Sequence, residues 1–494
     1  MKRNRLITAL PMLAMLLTVT GCSEVKVPTF AKSKGIKITA YAGPTVENWS
    51  GGANNPNTVT EENMRKLSEA GFDKILALYE GASGATGADT FELIEKRSKK
   101  AQKDALQVLE QAEKFDIKYY VRDWSFYGLV KNYTSGFTPN ILTDEDYERV
   151  ITKMFDDENE YIYSPSFGGM FAHDEPNYDE LDRIASQVRI YNRVMKEKGL
   201  EDKEAVVNLY NCTVSGAALA ADEIVTYEDY VDKYIDLICS QTGSFSYDYY
   251  PLKTSVFEGS YVRNSYLYNL AMVASKLKEK REQGEDIELR TFLQSIGNYT
   301  GMRDMVSIAD FRFQIACEMA FGSREFIYYE YGNFIPVEEG TGYALFDLQN
   351  NVYNWTYDCA KQANLEAHAI EDAYLSYQWD GVMYHNADDM IANPAFDVIE
   401  DYAMASHPRL SITSSEHDVF AGTFKNADGD DAFMVVNYTD PFHQQSNKVN
   451  LHFNNAKALL MYRYGQRMVV KLPFTGNYTL DLGPGEGRFI IPIK

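Results

Sequence analysis

The chain has 494 residues, 45% of them hydrophobic, which is too long for one ordinary compact domain and suits a large domain plus a smaller module. Its formal charge of −23 argues against nucleic acid partners, because phosphate backbones are bound by clustered Lys and Arg. Seven histidines and five cysteines show no metal-ligand or disulfide-framework spacing, so no metal or cofactor is expected; Cys212, Cys239, Cys317 and Cys359 read as free thiols, with a single bridge as the alternative.

The chain opens on an export pattern: Lys2, Arg3 and Arg5, an apolar stretch from Leu6 to Thr18, then Val19-Thr20-Gly21-Cys22. Small residues directly before a cysteine resemble the site at which bacterial lipoprotein signal peptides are cut and the cysteine is acylated. Residues 1–21 are therefore expected to be a signal peptide, Cys22 a lipidation site, and residues 22–35 a linker that tethers an extracytoplasmic protein to the cell envelope. A signal cut elsewhere, or a short anchor helix, is the alternative.

Apolar, β-rich runs ended by turn residues then recur in order. They are Ile36 to Ala42, Lys74 to Glu80, Lys118 to Trp124, Gly168 to His173, Ala205 to Tyr210, Ile235 to Ser240 with an exit through Phe245 to Pro251, Leu289 to Gln294, and Glu325 to Glu330. Helical patterns separate them, opened by Thr58-x-x-Glu61, Thr143-x-x-Asp146 and Ser307-x-x-Asp310, which match capping boxes. Eight alternating units predict a closed (β/α)8 TIM barrel over residues 36–408, with an open doubly wound sheet as the runner-up. After Pro408 only short alternating runs remain, from Val419 to Phe424 through to Gly487 to Ile493, which predict a small antiparallel β-sandwich over residues 409–494.

In a parallel barrel the C-terminal strand ends share one rim, so residues far apart in sequence meet there. At those ends stand Tyr41, Tyr79 with Glu80, Asp123 with Trp124, His173 with Asp174 and Glu175, Tyr210 with Asn211, Tyr247 with Asp248, Gln294, and Tyr329 with Glu330. Acids flanking a bond beside aromatic platforms are what glycosidic cleavage requires, one protonating the leaving oxygen and another attacking carbon or activating water. The aromatic share of 13%, with 36 Tyr, suits sugar stacking and would equally suit an aromatic core.

The Asp174-Glu175-Pro176 triplet is similar to the Asn-Glu-Pro that marks the general acid/base at the end of the fourth strand in clan A glycoside hydrolases. The runs Ala320 to Glu330 and Pro484 to Pro492 also look like the eighth strand and the last sandwich strand of such enzymes. The resemblance implies a carbohydrate substrate and Glu175 as acid/base. Those families place their nucleophilic Glu at the end of the seventh strand, where this chain has Gln294, and an amide cannot attack an anomeric carbon. The second carboxylate is then Asp248 or Glu330. Alternatively, the Asp174-Glu175 pair resembles that of hexosaminidases, in which the sugar's own 2-acetamido group attacks. Asp174, His173, Tyr41, Asp123, Trp124, Tyr210, Asn211, Tyr247, Gln294 and Tyr329 are the expected substrate-binding residues. A glycan-binding lipoprotein without activity, either a barrel that has lost its nucleophile or a solute-binding protein, is the alternative function.

Overall fold

The computed structural model describes residues 25–46, 57–78, 91–129, 144–215, 219, 225–254, 261–297, 301–333, 344–387 and 394–494. The expected signal peptide, Cys22, Thr143, Tyr79 and Glu80 lie outside them, as does the side chain of Trp124.

Eight strands form one parallel sheet: β1 (Lys37–Tyr41), β2 (Lys74–Leu76), β3 (Lys118–Val121), β4 (Phe167–Asp174), β5 (Glu204–Asn208), β6 (Ser244–Asp248), β7 (Glu288–Gln294) and β8 (Glu325–Tyr329). Each pairs with its sequence neighbour, and β1 pairs with β8. The ring closes between β5 and β6 through a short parallel bridge, in which Leu209 N–H donates to the Ser246 carbonyl at 2.9 Å and Asp248 N–H to the Leu209 carbonyl at 3.3 Å. Helices cover the outside, as a parallel sheet buried on both faces requires.

Two expectations need correction. The run Ile235 to Ser240 is not the sixth strand: it continues the helix Tyr227–Tyr234 as a π-helical turn, Ile235–Cys239. Ile235, Ile238 and Cys239 are buried at helical spacing, and a short apolar run of this kind satisfies either period. The strand is the following Ser244–Asp248, so Asp248 keeps its place at a strand end. The helix expected to open at Thr58 opens at Thr60, whose side chain accepts from Asn63 N–H, whereas Ser307 and Asp310 do form the expected capping box. Among the described residues the four cysteines, Cys212, Cys239, Cys317 and Cys359, are free.

The barrel interior is layered. At its N-terminal end Lys74 donates to Glu325 at 2.7 Å, Arg290 donates to Glu204 at 2.8 Å, and Thr39 and Tyr120 hydroxyls complete the set. Burial alone would raise the Glu204 carboxyl, but Arg290 and Lys74 hold it down at about 2. Above lies an apolar plug that includes Leu76, Phe171, Val206, Phe292 and Ile327. The third layer is the rim.

At the C-terminal end a six-stranded sheet runs in the order Gln378–His385, Val419–Lys425, Asp431–Asn437, Gly487–Ile493, Ala458–Arg463, Gln466–Lys471, facing a three-stranded sheet of Leu410–Ser415, Asn447–Phe453 and Asn477–Leu482. Gln378–His385, which the sequence reading left inside the barrel region, pairs with Val419–Lys425. The six-stranded sheet lies against the barrel helix Ile308–Ala320 so closely that a Cβ on Gly422 would sit 1.9 Å from the Ala320 carbonyl oxygen. Arg263 and Asp418 form a fully buried ion pair across this junction. Residues 25–35 are docked rather than free: Ser33 N–H donates to Asp372 at 2.7 Å, Ile36 N–H to Glu371 at 3.1 Å, and Arg467 to the Pro28 carbonyl at 2.9 Å.

Candidate active site

Strand β4 decides which side chains enter the site. Its Gly168-Gly169 pair is needed for close approach, since a Cβ on Gly169, at φ 138°, would meet the Glu204 carbonyl at 1.9 Å. Further along, the register against β5 slips between Phe171 and His173, so that Phe171 faces Val206, His173 faces Val207 and Asp174 faces Asn208. One extra residue in a strand reverses the inward and outward faces beyond it. Phe171 therefore points into the apolar plug and Asp174 also points inward, while His173 is turned out and fully buried, its ring stacked on Tyr127 at 4.6 Å.

Asp174 is held from two sides. Arg122, 1% exposed, pairs with its Oδ2 at 3.3 Å and Asn208 Nδ2 donates to its Oδ1 at 3.2 Å. The same Asn208 nitrogen reaches Asp248 Oδ1 at 3.4 Å, and the Ser246 hydroxyl donates to Asn208 Oδ1 at 2.9 Å. Arg122 also donates to the Tyr41 hydroxyl at 2.9 Å and lies over the Phe171 ring at 4.5 Å. Glu175 follows at φ 50°, a left-handed conformation uncommon outside glycine, fixed by its N–H donating to the Asn208 carbonyl at 2.8 Å. Pro176 then ends the strand. Glu175 is partly exposed.

Asp248 is 5% exposed. Burial first, then the negative charges of Glu175 and Asp174, push its carboxyl well above the ordinary range, with the Asn208 hydrogen bond opposing. The negative charges of Glu175 and Asp174 thus favour the protonated form of Asp248 over its carboxylate. Around them stand half-buried tyrosines. Tyr210 has its phenol raised by burial and then by Glu175, Asp174 and Asp248. Tyr250, raised by burial and then chiefly by Asp248, lies 4.9 Å from Tyr329, and Tyr329 lies 5.6 Å from Tyr41. Lys253 has its ammonium pKa lowered by burial against the opposing pull of Asp248.

Of the residues singled out from sequence, Asp174, Glu175, Asp248, Tyr210, Tyr329 and Tyr41 converge at this rim. Glu330 is 1% exposed, its carbonyl accepting from the Ser295 hydroxyl at 3.0 Å. Four expected substrate contacts are otherwise occupied, besides His173. Asp123 is buried and caps the helix Trp124–Gly128 by accepting from Ser125 N–H at 2.8 Å; burial pushes its carboxyl up to about 6. Tyr247 points outward into the layer between sheet and helices, beside Phe245. Asn211 closes a turn by accepting from Thr213 N–H at 3.0 Å and its hydroxyl at 2.6 Å. Gln294 is fully buried and its amide is consumed by backbone: Oε1 accepts from Leu252 N–H at 3.0 Å, and Nε2 faces the carbonyls of Leu252, Ile296 and Arg303 at 2.9, 3.1 and 3.2 Å. Trp124 begins that capped helix, with its side chain outside the described residues.

Asn208, Arg122, Tyr250 and Lys253 were missed. Asn208 was legible as the last inward position of β5, two after Val206, and Arg122 as the inward position two after Tyr120. Among the described residues no group of three or more His, Cys, Asp or Glu could hold a metal ion.

No family model matches the sequence, and no curated protein matches it. Solved structures do. A glycoside hydrolase family 5 protein from Bacteroides vulgatus superposes with a TM-score of 0.52 at 10% identity, over 93% of this chain and 89% of that one. The chain shares the fold of that protein, a (β/α)8 barrel followed by antiparallel sheets. SrfJ from Salmonella typhimurium (TM-score 0.47, 11% identity, 93% and 90% coverage) and a GH51 arabinofuranosidase from Xanthomonas axonopodis pv. citri (0.42, 10%, 93% and 95%) also match. At these identities the likeness is one of fold alone.

Proposed function

We propose that the protein is a glycoside hydrolase in which Glu175 and Asp248 form the reacting pair at the barrel rim. The supporting observation is the mutual electrostatic dependence of Asp248, Glu175 and Asp174 around Asn208. Glycosidic cleavage needs one protonated and one ionised carboxyl, and a pair whose environments push the two apart supplies that division. Burial favours the proton on Asp248, which assigns Asp248 the role of proton donor and the partly exposed Glu175 that of its carboxylate partner. This reverses the direction expected from the Asp-Glu-Pro resemblance. In the reaction the C–O bond breaks, the leaving oxygen takes the Asp248 proton, and water supplies the hydroxyl to the anomeric carbon while its remaining proton passes to the Glu175 carboxylate. Asp174, clamped by Arg122 and Asn208, is a positioning group for a sugar substituent, which suits a 2-acetamido sugar as well as a hydroxyl. Tyr210, Tyr250 and Tyr329 are the sugar-stacking faces.

We also propose export and lipid anchoring through Cys22, supported by the basic, apolar and small-residue pattern before it. Mass spectrometry of the mature N-terminal peptide tests the acyl group.

The deciding assay compares the wild type, Glu175→Gln and Asp248→Asn on aryl glycosides of graded leaving-group acidity and on host and plant glycans. Loss of the proton donor spares substrates with acidic leaving groups, and loss of its partner spares none. Unchanged turnover in both variants would remove the pair from the reaction. Glycan binding with no cleavage by any form would make the protein a lectin-like barrel instead.

A further inference from the structure

The segment that would carry the anchor leaves the fold beside an edge strand of unusual composition. Val25, Val27 and Phe30 pack onto the core, Phe30 at 6.5 Å from Tyr377, and Arg467 clasps the Pro28 carbonyl at 2.9 Å. Arg467 belongs to Gln466–Lys471, the outermost strand of the six-stranded sheet. Opposite it in register, Tyr462, Leu460 and Ala458 pair with Arg467, Val469 and Lys471, so these three share the face along which the N-terminal segment runs. Val469 is 44% exposed, Met468 is 38% exposed, and Phe474 in the following turn is fully exposed. Arg467, Lys471 and Lys26 are exposed as well.

Cys22 is three residues before Val25 and six before Pro28, the residue Arg467 holds, so an acyl group there is anchored within about 21 Å of this face at full chain extension. The protein as a whole is repelled by an anionic surface at a formal charge of −23. A local basic and apolar patch therefore decides which side can approach one.

We propose that residues 466–476, through Phe474, Val469, Arg467 and Lys471, are a second membrane contact that lies on an anionic phospholipid surface beside the Cys22 anchor. Phe474 and Val469 enter the headgroup boundary and the two cations meet lipid phosphates, so that lipid and patch together hold the barrel in one orientation. The location rests on the anchoring proposal, whereas the contact itself does not need the acyl group and is independent of any hydrolase activity.

The test uses residues 23–494, which carry no leader and include every described residue, sedimented with phosphatidylglycerol-containing vesicles and with pure phosphatidylcholine vesicles. Binding to the anionic vesicles only is expected, and about 0.5 M salt should weaken it. Phe474→Ser should weaken it roughly tenfold, and Arg467→Glu with Lys471→Glu roughly 30-fold or more. Because Arg467 also holds Pro28, Lys471→Glu alone is included, and unchanged thermal midpoints establish that the fold is intact. Absence of wild-type binding, equal binding to phosphatidylcholine, or variants that bind like wild type would overturn the proposal. So would substitutions that change only the oligomeric state in sedimentation velocity, which would make the strand a pairing edge for a second copy of the chain. Acylation is read separately by mass, so its failure and the failure of the surface contact are distinguishable.

Discussion

Asp174 and Asp248, 74 positions apart in sequence, share one hydrogen-bond donor, the Nδ2 of Asn208, at 3.2 and 3.4 Å. The Ser246 hydroxyl fixes the orientation of that amide by donating to its oxygen. Two carboxylates are thereby brought together at the seam where the barrel closes. Asn208→Leu removes the donor while keeping the volume. It should cost about 2–4 kcal/mol of stability, since buried acceptors lose their partner. It should also raise the Asp248 carboxyl further, because the hydrogen bond from Asn208 favours the carboxylate form. A glycoside pH profile shifted to higher pH, beside denaturant unfolding, checks both.

Asp248 makes stability depend on pH in a definite direction. Its folded carboxyl is raised by burial and by Glu175 and Asp174, so the neutral form is favoured in the fold. That contribution is complete below the unfolded value of about 4 and is lost as pH rises towards the folded value. Asp248→Asn, which cannot ionise, should therefore gain in stability relative to wild type as pH rises from about 4 to 8. Thermal midpoints of the two proteins across that range are the measurement, and a constant difference would contradict the assignment.

Asp123 gives a second titration with a narrower window. Its carboxyl is pushed up to about 6 by burial while it caps Trp124–Gly128. Wild type should lose about 2 kcal/mol between pH 4 and 6 from this group, and Asp123→Asn, which keeps the cap, should not. Unfolding free energies at the two pH values decide it.

Gln294→Glu should not create a nucleophile at the seventh strand. The Gln294 amide is buried among the carbonyls of Leu252, Ile296 and Arg303, and a carboxylate there would face three acceptors without a donor to spare. The expected outcome is a loss of about 3 kcal/mol or more with no gain in turnover. A gain of activity would mean that the seventh-strand end opens to substrate.

Gly422→Ala should loosen the contact between the C-terminal sheets and the barrel, because the added methyl meets the Ala320 carbonyl at 1.9 Å. A penalty of about 1–3 kcal/mol in chemical unfolding is expected.

Seven of the eight barrel strands were legible because an apolar strand between amphipathic helices has a periodicity that the covalent chain itself imposes. Seven of the C-terminal strands were legible for the same reason, from Val419–Lys425 to Gly487–Ile493. Ile235–Cys239 was misread because five residues with apolar positions at both spacings fit either period until their neighbours are known. Gln378–His385 was missed because it joins a sheet whose other strands begin more than 30 residues later.

At the rim, sequence alone determined that Asp174, Glu175 and Asp248 stand at strand ends, since Pro176 and Pro251 mark where pairing stops. Which of those side chains face the centre was decided only in the folded barrel. The register slip between Phe171 and His173 turns His173 outward and Asp174 inward, and it depends on hydrogen bonds to β5, a strand about 30 residues away. Side-chain alternation is a local property of the backbone, whereas the face it presents is set by interstrand pairing, and that pairing exists only once the sheet has closed.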